Sequence, residues 1–450
     1  MNTNKKQSLS TTAIKDGLYI GIMSGTSLDG VDLVLCQFCP LTLVASHTVK
    51  FDELLRQTLL ALCSPDGVRE LVAVDNVAID SKGGGTIKNN HSNKANANNQ
   101  FKDDHLNNVS LKLDSVKLNN VRLSSIKLNN AKLGNASLDN IKQDNFSELD
   151  FFGQASVQYA TLCVQAVGEL LQRANKKPSD VIAIGVHGQT VRHRPNLGFS
   201  LQLIDPNVLS EQTGICVVSD FRRRDMAVGG QGAPLVPAFH KAIAQHGVVL
   251  NLGGIANITV LDDPIIGYDT GVANLLMDAW VFRHLKKPFD KAGAWASTGL
   301  VCPMLLDKLL CHPFLAQNPP KSTGREVFNL AWLDDILKSL PPIAPKDVQA
   351  TLCEFTAKTV ADAINRHDVT QKFLYVCGGG AYNGYLLTRL QAYLPHWQIV
   401  TTSVLGIDPI WVEAMCFAWL ARQHLLGQPA NLPSVTGASR AVVLGVMSPA

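Results

Sequence analysis

The sequence predicts an α/β protein with one sheet in each of two domains, and three observations carry that expectation. Short apolar and β-branched runs recur along the chain and alternate with stretches of helical spacing. At 450 residues, 46% hydrophobic and 17% charged, the chain is long enough and apolar enough for two separate cores. Three of the strand-like runs end on glycine-rich turns that lie far apart in the sequence.

In chain order, Leu18 to Met23, Val31 to Phe38 and Leu43 to Val49 read as adjacent strands of one sheet. Helical spacing follows from Phe51 to Cys63 and again from Val68 to about Ile79. Phe151 to Ala174 is a helix by the same criterion, and Val181 to Val186 is a buried strand. Farther on, Val248 to Leu252, Ile255 to Leu261, Phe373 to Cys377 and Trp397 to Thr401 read as strands. Val272 to Leu285, Asp347 to Arg366, Tyr382 to Tyr393 and Ile410 to Leu425 read as helices. The expected division is a first domain over 17–225 and a second over 226–429, with 430–448 free to return to the first.

An insert over 82–148 interrupts the first domain. It holds ten of the 40 basic and six of the 37 acidic residues, so without it the chain carries 30 against 31. A nearly neutral body argues against a nucleic-acid binder held by phosphate contacts. Within the insert Leu113, Leu118, Leu123, Leu128, Leu133 and Leu138 recur every five residues. Five is neither a helix nor a strand period. The run resembles pentapeptide-repeat coils, but so few repeats cannot bury a core, and the Asn/Lys-rich composition reads as a mostly mobile expansion at a loop tip. The N-terminus has no apolar signal segment and no run is long enough to cross a membrane, so a cytoplasmic protein with no membrane partner is expected. The ten cysteines form no second CxxC beside Cys36 and Cys39, and reduced, buried thiols are the plain expectation.

The chemistry concentrates in a few stretches. Gly21-Ile-Met-Ser-Gly-Thr-Ser-Leu-Asp-Gly30 lies between two strands and offers backbone N–H groups, hydroxyls and a carboxylate, the outline of a phosphate cradle. It lacks the lysine of a P-loop and the spacing of a nucleophile elbow, and it reads equally as a plain hairpin turn. Asn251-Leu-Gly-Gly-Ile-Ala-Asn257 and Cys377-Gly-Gly-Gly-Ala-Tyr-Asn383 repeat the strand–glycine pattern, the latter leading into a helix whose N-terminus would favour anions. Three such turns fit a nucleotide held in a cleft, although the triplet also suits close helix–strand packing. Asp269, at the end of the run Pro264 to Tyr268, suits a general base or the N-cap of the helix expected from Val272. His187 stands at the mouth of a strand. Ser219-Asp-Phe-Arg-Arg-Arg-Asp225 reads as an anion site or as a salt-bridged face, followed by a flexible connection, Gly229 to Leu235. Glu413 sits among apolar helix residues, either buried for function or facing water.

Taken together, GIMSGTSLDGVDLVL, HGQTVRHRP, VVSDFRRRDMAVGGQGAPLVPAFH, VVLNLGGIANITVL, GYDTGVANLLMDAW, PKSTGREVFN, VCGGGAYNGYLL and GIDPIWVEAMCFAWLA resemble the anhydro-N-acetylmuramic acid kinase family of the actin-like/sugar-kinase superfamily. The resemblance implies two actin-like, ribonuclease-H-like domains around a nucleotide cleft. It also implies ATP-dependent conversion of 1,6-anhydro-N-acetylmuramic acid to N-acetylmuramic acid 6-phosphate in peptidoglycan recycling. By that likeness Asp269 is the catalytic base. Gly25, Thr26, Ser27, Leu28, Asp29, Gly30, Val31 and Asp32 bind ATP, with Asp29 toward Mg²⁺. Gly253, Gly254, Gly378, Gly379 and Gly380 line the nucleotide side, and His187, Arg222, Asn274 and Glu413 contact the sugar. A homodimer is left open. Where the family has GPGN this chain has Gly271-Val-Ala-Asn274, a helix start without its proline and second glycine, and activity is expected to survive. Two other readings share the fold: a nucleotide-binding regulatory protein without sugar turnover, and an ordinary sugar kinase in which Asp269 deprotonates a free hydroxyl.

Overall fold

The computed structural model describes residues 17–25, 28–64, 67 and 147–450. The helix expected over Val68 to Ile79, and the insert up to residue 146, lie outside the described residues.

Two sheets organise the molecule. In the first, β1 (Leu18–Met23), β2 (Gly30–Phe38) and β3 (Leu41–Lys50) form an antiparallel meander. On the other side of β1 lie β4 (Val181–Val186) and β7 (Val217–Ser219), both parallel, and the edge strand β13 (Val446–Ser448), antiparallel to β7. Between β4 and β7 the chain makes a separate hairpin of β5 (Gln189–Arg194) and β6 (Phe199–Leu203). In the second sheet β8 (Val248–Leu252), β9 (Ile255–Val260) and β10 (Ile266–Val272) repeat the meander, with β11 (Phe373–Cys377) and then β12 (Gln398–Thr401) parallel beyond β8. Each sheet thus pairs its first three strands through tight turns and adds two parallel strands after a crossover long enough to hold helices. This repeated order is that of the ribonuclease-H-like, actin-like fold.

The crossovers supply the covering layers. In the first, α1 (Glu53–Cys63), capped by Asp52, and α2 (Glu148–Arg173), opened by a Ser147/Asp150 capping box, pack on one face of the first sheet. Helix α3 (Pro206–Thr213) leads back to β7 of the first sheet, and α4 (Phe221–Met226) and α5 (Val236–Ile243) lead on to the second sheet. Its crossover contains α6 (Asn274–Leu285), α7 (Pro303–Leu310), α8 (Leu330–Lys338) and α9 (Pro345–Ile364). Helix α9 is buried around most of its circumference because it lies under the sheet, with Phe355, Val360 and Ile364 in one core with Ile258 and Val376. After β11 come α10 (Gly384–Tyr393) and α11 (Val412–Leu425).

Helix α11 lies between the sheets. Its Met415, Phe417 and Leu420 join Tyr19 and Ala183 of the first sheet and Val249 and Tyr375 of the second in one buried cluster. The approach is close enough that a Cβ on Gly21 of β1 would strike the Ala414 carbonyl, and one on Gly185 of β4 the Phe417 carbonyl.

Several boundaries differ from expectation for identifiable reasons. Strand β10 runs past Asp269 to Val272, so α6 starts at Asn274. After β11 the glycine triplet opens a 3₁₀ turn, Gly379–Tyr382, and α10 begins only beyond Asn383, whose side chain accepts from Leu386 N at 3.1 Å. The expected flexible connection is pinned: the fully buried Asp225 accepts from Gly232 N (2.8 Å), Asn431 Nδ2 (2.7 Å) and Thr436 Oγ1 (2.8 Å). All ten cysteines are free, but Cys39, Cys63 and Cys311 are exposed, since each falls in a turn or at a helix end. Among the described residues no helix is long and apolar enough to cross a membrane.

Candidate active site

The first glycine turn follows β1. Leu28 is buried in a left-handed conformation (φ 58°), and Gly30 opens β2 where a Cβ would strike the Val49 carbonyl. Asp29 is exposed, and its carbonyl accepts from Phe51 N at 3.2 Å. Val31 is a core side chain, and Asp32 on β2 accepts from Thr48 Oγ1 at 2.7 Å. Burial holds the Asp32 carboxyl above the usual aspartate value, with the Thr48 bond opposing. Of the eight residues expected here, Asp29 is the exposed one among those described, with Gly25, Gly30 and Asp32 half-buried; Thr26 and Ser27 lie outside the described residues.

The other two turns are joined to each other. Asn274 donates Nδ2 to the carbonyls of Leu252 (2.8 Å) and Gly253 (2.9 Å), and its backbone N also donates to Gly253 O (3.0 Å). That side-chain amide is therefore spent on the β8–β9 turn, leaving only Oδ1 for a ligand. Gly378 (φ 77°) and Gly380 lie against Asn251 and Leu252 so closely that neither admits a Cβ, whereas Gly379 faces open space. Two of the three glycines thus serve strand-to-turn packing, and only Gly379 presents bare backbone outward.

Asp269 sits at a bulge in β10, opposite Asn257. Its carboxylate does not cap α6, whose N-cap is Ala273 with no side-chain bond. Instead Oδ2 accepts from Ser322 Oγ (2.9 Å) and Thr323 N (2.9 Å), while Asp269 N donates to Lys321 O (3.2 Å). Among the described residues Oδ1 accepts no hydrogen bond, and the buried Thr323 hydroxyl has no partner. Burial raises the Asp269 pKa above the ordinary aspartate value; the Thr323 and Ser322 bonds and the Lys321 charge oppose the rise, and Glu326 adds to it. An anchored carboxylate with one open oxygen and heightened basicity has the form of a general base.

A second polar group lies where α4, α11 and the two sheets meet. Arg222 donates Nε (3.1 Å) and Nη2 (2.9 Å) to His187 Nε2, and Nη1 to Gly232 O (2.8 Å). A guanidinium cannot accept, so His187 Nε2 carries the lone pair and a neutral ring holds its proton on Nδ1. Burial, then the Arg222 charge, keeps His187 well below its usual pKa. The ring lies 4.7 Å from that of Phe417, and buried Nδ1 has no partner among the described residues. Glu413, in the first turn of α11, accepts from Asn251 Nδ2 (3.3 Å). Burial raises its pKa against the pull of Arg222, while burial lowers Arg222 to about 10. Of the other arginines, Arg223 pairs with Asp220 on the surface and Arg224 is exposed, so the run splits between a buried contact and a solvated face.

The sequence profile for anhydro-N-acetylmuramic acid kinase matches residues 17–106 and 103–450. A relative of that name from Psychrobacter cryohalolentis is 46% identical over 96% of this chain and 94% of its own length. Another, from Acinetobacter baylyi, is 41% identical over 96% of this chain and 99% of its own. The chain belongs to the anhydro-N-acetylmuramic acid kinase family. Among solved structures it is similar, at 13% identity and a TM-score of 0.36, to a ROK family glucokinase from Streptomyces griseus, over 90% of this chain and 100% of that one.

For a member of the anhydro-N-acetylmuramic acid kinase family, the structure groups the expected residues in three sets. Asn274, Gly253, Gly378 and Gly380 meet at the ends of β8 and β11. His187, Arg222 and Glu413 meet around α11. Among the described residues Asp269 is hydrogen-bonded to neither set and is held instead by a segment that residue-by-residue reading did not single out. Ser322 and Thr323 lay only within the family-like stretch PKSTGREVFN, and Asn251 only within the second glycine turn.

Proposed function

We propose that the chain, a sugar kinase by family, hydrolytically opens 1,6-anhydro-N-acetylmuramic acid and phosphorylates it from ATP to N-acetylmuramic acid 6-phosphate, as a step of peptidoglycan recycling in the cytoplasm. The observation that carries the reading is the Asp269 carboxylate, clamped through Oδ2 and open at Oδ1. Oδ1 takes a proton from water as the water oxygen bonds to the anomeric carbon. The bond from that carbon to O6 breaks, and O6 bonds to the γ-phosphorus as ADP leaves. His187, Arg222 and Glu413 are assigned to the sugar. Gly25, Asp29, Gly253 and Gly379 are assigned to the nucleotide, and the units over 17–225 and 226–429 to the two sides of the cleft.

Among the described residues no three ligating side chains converge on a metal position. Mg²⁺ is assigned to the nucleotide phosphates and water, with Asp29 as the protein carboxylate beside it. Burial and the charges of Asp290 and Asp29 push Asp278 on α6 up to about 7, so this corner already carries excess negative potential that a cation would relieve. The ion would supply charge neutralisation at the transferring phosphate.

The test offers purified protein ATP with the anhydro sugar, the open-ring sugar, or neither. Phosphorylation of the anhydro form, with one ¹⁸O from water at the anomeric position, is the expected result. Phosphorylation of the open-ring sugar alone would make it an ordinary kinase.

A further inference from the structure

Beside β10 a cavity of about 330 Å³ opens between Thr270 of the strand, the 315–321 segment and the C-terminal half of α9. Thr270, Lys321, Lys358, Thr359, Asp362 and Arg366 bring three cations and one carboxylate to its lining. The carboxylate is taken, because Lys358 Nζ pairs with Asp362 at 3.0 Å. The other two cations converge on one oxygen: Lys321 Nζ (3.3 Å) and Arg366 Nη2 (3.1 Å) both donate to Leu315 O. Lys321 also donates to Phe314 O (3.2 Å) and lies over the Phe314 ring (4.6 Å). Neither forms an ion pair among the described residues, and two like charges held this close in a concave site are unfavourable unless an anion joins them. Burial and the Arg366 charge accordingly depress the Lys321 pKa, with the Asp269 charge opposing them.

We propose that this cavity binds a phosphate-class dianion, either inorganic phosphate or the phosphate of a phosphorylated sugar, between Lys321, Arg366 and Lys358. Its volume exceeds that of a lone phosphate and leaves room for an attached small carbohydrate. The site is coupled to the reaction centre through Lys321, whose carbonyl accepts from Asp269 N and whose two successors clamp the Asp269 carboxylate. Among the groups facing Asp269, Lys321 favours its ionised form and Glu326 opposes it. Neutralising Lys321 with a dianion therefore makes Asp269 easier to protonate. This coupling rests on Asp269 being the base; the binding itself does not.

Calorimetric titration of the full chain with inorganic phosphate, and separately with glucose 6-phosphate, tests the site. Each titration is run without and with a non-hydrolysable ATP analogue that fills the nucleotide turns, and ionic strength is held constant. Saturable binding that falls about tenfold in Arg366→Gln and in Lys358→Gln, with melting temperature unchanged, is the expected result, and the tighter probe identifies the source. Binding that vanishes when the analogue is present, or that survives both substitutions, overturns the site. In turnover assays saturating phosphate is expected to move the acid limb of kcat to higher pH in the wild type and not in Arg366→Gln. An unmoved limb with intact binding overturns the coupling alone, whereas normal turnover by Asp269→Asn overturns the assignment of the base.

Discussion

At the scale of single residues, the proposed reaction turns on which oxygen of Asp269 is open. Asp269→Asn keeps the size and the two bonds at one oxygen but cannot accept a proton. Turnover is expected to fall by roughly 10²–10⁴ or more while nucleotide binding and the melting temperature hold. Steady-state kinetics and calorimetry on the same preparation check both halves. Ser322→Ala is subtler. It removes one of two donors that favour the charged carboxylate, so the Asp269 pKa rises beyond its already raised value. The base must be ionised, so activity is lost as pH falls through that pKa, and the acid limb of the kcat profile moves to higher pH. Thr323 N remains, so kcat at neutral pH is expected to fall by no more than about tenfold, and Ser322→Thr restores the profile. His187 gives an independent check. With Arg222 donating to Nε2, ¹⁵N spectra are expected to show the neutral Nδ1–H form from pH 5 to 8, with no titration. A charged ring in that range would break the tautomer argument.

At the scale of elements, packing of α11 against β1 and β4 depends on two absent side chains. Gly21→Ala or Gly185→Ala places a methyl group against a helix carbonyl, and neither strand nor helix can yield without disturbing a core shared by both sheets. Each substitution is expected to cost about 1–3 kcal/mol or more in urea unfolding, with the larger effect where both happen together. Neither consequence was visible in the sequence, where Gly21 and Gly185 look like ordinary strand glycines. What was visible were long runs whose period matched their burial: β1, β4, β8 and β11 stand where their apolar residues put them. The β5–β6 hairpin, QTVRHR and FSLQL, gave too little apolar pattern, and β7 and β13 are three residues each. Asp269 shows the other limit. Its neighbours in the chain suggested a helix cap, but its partners Ser322 and Thr323 come from 53 and 54 residues away. The GVAN departure changes meaning for the same reason. Val272 ends β10 opposite Ile255, and its carbonyl accepts from Thr356 Oγ1 (3.1 Å), so a proline there would fall in a strand rather than at the first helical position.

At the scale of the whole molecule, one strand scheme used twice surrounds a shared helix, and the chain up to Ser64 and the chain from Ser147 are tied directly to each other. The guanidinium of Arg192 on β5 donates Nη1 to Leu62 O at the end of α1, and Nη2 both to Ser64 O (3.0 Å) and to Glu148 Oε1 (2.8 Å) at the start of α2. One side chain thus holds the exit and the re-entry of the segment close together. Ser147 and Asp150 add a capping box that fixes where α2 begins. A replacement of residues 82–146 by a short Gly/Ser linker that keeps Ser147, Glu148 and Asp150 leaves this closure intact. Shortening a loop changes its closure entropy by only about 0.6 kcal/mol per halving of length. Kinase activity and melting temperature are therefore expected to stay close to those of the full chain. A deletion carried through residue 148 removes both the cap and the Arg192 partner, and is expected to lower the melting temperature by several degrees for about 1–2 kcal/mol lost. Equal stability of the two deletions would mean that Arg192 and the capping box do not hold the ends. Loss of soluble protein from the shorter deletion would mean that the excised residues belong to the folded body.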